Sequence, residues 1–71
     1  MTNTLALNKR IDDSGYKISF IAKNLGLSSY GFALKRDNKS EFTASEIDAL
    51  CTLLKIGTDE MMNIFFAKEV E

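Results

Sequence analysis

Between Lys17 and Lys39 the chain gathers side chains that could hold a phosphate or a base edge. They are the ammonium groups of Lys17, Lys35 and Lys39, the Arg36 guanidinium, the Asn38 amide and the hydroxyls of Ser19, Ser28, Ser29 and Tyr30. Within this stretch Ala22 is followed four residues later by Gly26, and Ser28 then opens a second apolar-periodic run, which is the spacing of a helix-turn-helix. That spacing predicts Ile18 at the opening of the motif's first helix and Ser29, Tyr30, Ala33 and Leu34 on the outer face of its second. Only the serine and tyrosine hydroxyls of that set can donate a hydrogen bond. Bidentate side chains, each contributing about 1 to 3 kcal/mol of base discrimination, are missing from the face. Tyrosine and leucine instead bury large area at low entropic cost, which suits a protein partner. Lys35, Arg36 and Lys39 would form a basic rim, while Asp12, Asp13, Asp37 and Glu41 are candidates to meet a partner whose own surface is basic.

The rest of the composition narrows the chemistry. The chain contains no histidine and one cysteine, Cys51, so the side chains for a zinc site, an imidazole acid/base or an internal disulfide are lacking. No nucleophile stands beside a base and no glycine-rich phosphate loop is present, so the expectation is a non-enzyme without cofactor, metal or small-molecule ligand. Cys51 reads as a small buried hydrophobe. The net charge is −1, against the basic balance usual for DNA-binding domains, but its distribution is uneven. Residues 17–39 carry five cations against Asp37, a net +4, whereas from residue 41 onward seven acids oppose Lys55 and Lys68, a net −5. No apolar run is long enough to cross a bilayer, and a cytoplasmic location is expected.

Seventy-one residues, 45% hydrophobic and 27% charged, describe one small globular domain spanning 1–71. A chain of this length buries only about 60% of the surface exposed on unfolding, so its core must be economical. Apolar spacing predicts an all-α fold of five short helices. The first covers residues 5–14, with Leu7 and Ile11 inward and Gly15 as a left-handed stop; the second covers 18–25, with Ile21, Ala22 and Leu25 inward and Gly26 as its stop. The third follows Ser28 as cap, turns Phe32 inward and ends near Arg36. Thr43-Ala44-Ser45-Glu46 matches a capping box, after which Ile47, Leu50, Cys51 and Leu54 form an inward stripe. Gly57 breaks the chain, Thr58 is read as a cap, and a fifth helix over 59–67 carries more apolar surface than it can hide, notably Met62 and Phe66.

With Ala22, Gly26, Leu27, Ser28 and Phe32 in place, nearly the whole chain resembles the lambda-repressor-like helix-turn-helix superfamily, in particular the small repressor and Cro-type proteins of temperate phages. It is similar, more narrowly, to the modulator-of-repression antirepressors of phages from Gram-positive hosts. The segment GLSSYGFALKRDNKSEFTASEIDALCTLLKI carries that likeness. The resemblance implies a regulator of the lysis/lysogeny switch in the bacterial host cytoplasm, binding the N-terminal domain of the phage repressor and changing its hold on operator DNA. Its alternative is a Cro-like operator binder, with Ser29, Tyr30, Ala33 and Leu34 near bases and Lys17, Ser19, Lys35, Asn38 and Lys39 near phosphates. Where a DNA-reading member opens its second helix with Gln or Thr, this chain has Ile18.

Overall fold

The computed structural model describes residues 1–67. Five α-helices follow in chain order with no strand among the described residues: α1 Thr4–Ser14, α2 Ile18–Asn24, α3 Ser29–Arg36, α4 Ala44–Leu54 and α5 Thr58–Phe65. Each is about two or three turns long, too short to be stable alone, so their persistence depends on a shared core. Leu7, Ile21, Phe32, Leu50 and Ile64, one from each helix, are completely buried together. α2 packs on α3 and α4, and α1 packs on α4 and α5.

Local chemistry sets most boundaries. Ser28 Oγ accepts the Gly31 amide at 3.0 Å and starts α3. A β-carbon on Gly31 would stand 3.2 Å from that oxygen, so the glycine keeps the cap uncrowded. The capping box of α4 is complete: Thr43 Oγ1 accepts from the Glu46 amide while Glu46 Oε1 accepts from the Thr43 amide. Asn3, not foreseen as a cap, starts α1 by accepting from the Ala6 amide at 3.1 Å. Thr58 does not cap α5; it is already the first helical residue, with Gly57 before it and no side-chain cap present. The same helix ends at Phe65, two residues short of the expected 67.

The endings of α2, α3 and α4 share one device. The chain turns left-handed at Gly26, Asn38 and Lys55, and the next residue's amide returns to a carbonyl five positions back: Leu27 to Ala22, Lys39 to Leu34 and Ile56 to Cys51. Only the first of these three is a glycine. Gly57, expected to break the chain, has an ordinary negative φ, because Lys55 has already made the turn.

Asn38 also fastens the amino-terminal segment. Its side chain accepts from the Thr2 amide at 2.8 Å and donates to the Thr2 carbonyl at 2.9 Å, while the Asn3 amide donates to the Ile64 carbonyl. Glycine at position 38 would keep the left-handed backbone and lose both side-chain bonds. Asn38→Gly is therefore expected to destabilise the fold by about 1 to 2 kcal/mol. Chemical denaturation gives the difference, and faster hydrogen exchange at the Thr2 amide would assign it to this clasp.

Candidate functional site

The α2–α3 pair presents the residues singled out by their spacing, and packing divides them into two groups. Lys17, Ser19, Ser29, Tyr30 and Lys39 are exposed, Tyr30 at 74% of its full accessible area. Lys23 is exposed as well, and neither Lys17 nor Lys23 makes a salt bridge among the described residues. This is the part of the expected surface that remains free to touch another molecule.

The second group is turned inward or already engaged. Ile18 does not face outward; it is half-buried and packs against the core. Ala33 and Leu34 are also half-buried, so α3 offers a narrower outer face than its spacing implied. Ser28 is exposed, but its hydroxyl is the helix cap already described.

Lys35, expected on a basic rim, instead reaches α4. Its Nζ lies 2.6 Å from Glu46 Oε1, and both side chains are largely buried, at 17% and 13% exposure. Arg36 directs Nε and Nη2 at the carboxylate of its neighbour Asp37, 3.1 and 3.3 Å away. That hydrogen bond holds the Asp37 carboxyl below the usual carboxylate range. Asn38 is held by Thr2. Three of the six side chains expected to serve phosphate or a rim are thus satisfied within the chain.

A second exposed group escaped the sequence reading. Tyr16 and Phe20 lie with ring centroids 5.0 Å apart at the entrance to α2, both more than two-fifths exposed, and Leu5 on α1 is 84% exposed. They fall between the apolar stripes, so their being out of phase with the buried positions was the available signal. Met1, Met62 and Phe66 are also each more than half exposed. Met62 and Phe66 were expected to be.

Elsewhere polar groups serve the fold. Arg10 donates through Nη2 to the carbonyls of Leu54 and Lys55 at the end of α4, and its Nε stands 3.2 Å from Glu60 Oε2, an ion pair without an aligned hydrogen bond. Burial pushes the Cys51 thiol above its usual value, and the nearby Asp48 and Glu60 charges add to the effect, which opposes thiolate chemistry. No helix among the described residues is long and apolar enough to cross a membrane. Comparisons with family models, curated proteins and solved structures find no match for this chain.

Proposed function

We propose that this chain is a non-enzymatic regulator that acts by protein contact, binding the DNA-binding domain of a phage repressor and altering its hold on operator DNA. The observation that carries this reading is the state of the α2–α3 surface. Its exposed side chains include Tyr30, Phe20 and Tyr16, while Lys35, Arg36 and Asn38, which a DNA reader would direct at phosphates, are engaged within the chain. Lys17, Lys23 and Lys39 remain exposed, too few for the phosphate contacts that give strong salt-dependent binding. No side chain on the exposed part of α3 can make a bidentate pair with guanine or adenine. The acidic residues from 41 onward, a net −5, offer the complement to a basic partner.

Titration of the purified protein onto the N-terminal domain of a temperate-phage repressor is the direct test. The expected outcome is a complex at micromolar concentration or tighter, accompanied by a changed affinity of that domain for its operator. In a gel-shift series at physiological salt, the chain alone is expected to show no preferred duplex. A discrete, salt-sensitive site bound by the lone chain would establish the Cro-like alternative, with Ser29 and Tyr30 at the bases and Lys17 and Lys39 at phosphates.

A further inference from the structure

One carboxylate stands among the cations at the end of α3. Arg36 lies in the last turn of that helix, where its negative end favours positive charge, and Lys39 follows three residues later. Asp37, between them, accepts from the Arg36 guanidinium through both of its oxygens: Oδ1 from Nε at 3.1 Å and Oδ2 from Nη2 at 3.3 Å. The Arg36 hydrogen bond, with the Arg36 and Lys39 charges, outweighs desolvation and holds the carboxyl below its ordinary value. Asp37 is therefore an anion at neutral pH, facing two cations.

That charge is not what the fold requires at this position. Asp37 ends α3 through its backbone, whose amide donates to the Ala33 carbonyl at 3.0 Å, and its φ of −94° suits any residue. Its side chain bonds only to the adjacent residue and joins no two elements, whereas Glu46 ties α3 to α4. An exposed pair of this kind contributes little to stability. Its effect is on the surface charge. Lys35 is engaged by Glu46, which leaves Lys17, Lys23, Lys39 and the Arg36 head group as the cations of the α2–α3 pair and its flanks. Asp37 cancels one of these four. A phosphate approaching the guanidinium meets the carboxylate already there and must displace it against like-charge repulsion.

We infer that Asp37 is an electrostatic guard, whose carboxylate cancels Arg36 and keeps the end of α3 off nucleic acid. The inference deepens the proposed function and rests on it, since a chain that coated operator DNA would compete with the repressor it contacts. Without the carboxylate, the guanidinium is free to hold a phosphate bidentately. One added phosphate contact steepens the fall of log affinity with log salt by about 0.9, and at about 50 mM salt it raises affinity about 10-fold.

Fluorescence anisotropy of a labelled random-sequence DNA duplex, titrated over a series of salt concentrations, tests it. The proteins are the wild-type chain, Asp37→Asn, Asp37→Asn combined with Arg36→Gln, and Glu41→Gln, which removes one negative charge at an exposed acid that makes no ion pair among the described residues. Circular dichroism confirms that each is folded. Asp37→Asn is expected to bind about 10-fold more tightly than wild type at about 50 mM salt, with a salt slope steeper by about one. The double variant is expected to return to the wild-type affinity and slope, and Glu41→Gln to gain less than about 3-fold, because it releases no guanidinium. Equal binding by Asp37→Asn and wild type, or none by either, overturns the guard and leaves the functional reading standing. So does a gain that survives Arg36→Gln, or an equal gain in Glu41→Gln, which would assign the effect to total charge. A wild-type chain that already grips one duplex sequence at physiological salt overturns both.

Discussion

Phe32→Ala is expected to remove about 3 to 5 kcal/mol of stability, enough to leave much of the population unfolded at room temperature. Domains of this length are stable by about 4 to 10 kcal/mol at the usual contribution per residue. Phe32 is completely inaccessible, and its ring meets the edge of Phe42, which in turn meets Phe65. Truncation therefore removes one member of a three-ring stack joining α3, the segment before α4, and α5. The neighbours cannot all collapse into the space, because Ile21, Leu50 and Leu7 are themselves fully packed. Urea denaturation followed by circular dichroism measures the loss, and Phe32→Leu, which leaves a smaller cavity, is expected to lose less. A cost below about 1 kcal/mol for the alanine variant would mean that the core relaxes around the site.

The stack also shows what sequence alone could provide. Phe32 was legible as the inward anchor of α3, just as Leu7, Ile11, Ile21, Ala22, Leu50 and Leu54 were legible from three- and four-residue spacing, because helical periodicity is a local signal. The Thr43–Glu46 box and the left-handed turns at Gly15 and Gly26 were legible for the same reason: each is fixed by residues within one turn. Lys55 was not, since a glycine, with no β-carbon, two positions later was the more obvious place for the chain to reverse. The α2–α3 surface was read with less success. Ile18, Ala33 and Leu34 sit at the margin of the buried faces, where the side of a helix that meets its neighbour depends on the crossing of two helices rather than on either sequence. The Asn38–Thr2 clasp and the Arg10 contacts with α4 join residues 36 and 44 or 45 positions apart, beyond any spacing rule. A groove lined by Met1, Phe42 and Phe66 is hidden for that reason too: these residues become neighbours only when the amino-terminal segment, the α3–α4 connection and α5 converge.

Replacing Glu46 with alanine is the second large expected loss, about 2 to 3 kcal/mol, because one carboxylate joins two devices. Its Oε1 accepts from the Thr43 amide at 2.9 Å, closing the capping box, and receives the Lys35 ammonium at 2.6 Å. Loss of the acceptor for the Thr43 amide costs about 0.5 to 1.5 kcal/mol, and Lys35 left largely buried without its partner costs about 1 to 3 kcal/mol more. Glu46→Gln separates the two, since glutamine can close the box but cannot pair with the ammonium. Burial raises the Glu46 carboxyl, but the Lys35 hydrogen bond and the donors of Thr43 outweigh it and hold the group below its ordinary value of 4.5. A carboxyl whose pKa is lower folded than unfolded stabilises the fold above the unfolded value, and that contribution fades as pH falls through the folded one. The stability advantage of the wild-type chain over Glu46→Gln should thus be full near neutrality and shrink on acidification below 4.5. Denaturation midpoints across that range measure it. An advantage that grows in acid would mean that the Lys35–Glu46 contact does not stabilise the charged carboxylate, and α3 would then be tied to α4 by its apolar side chains alone.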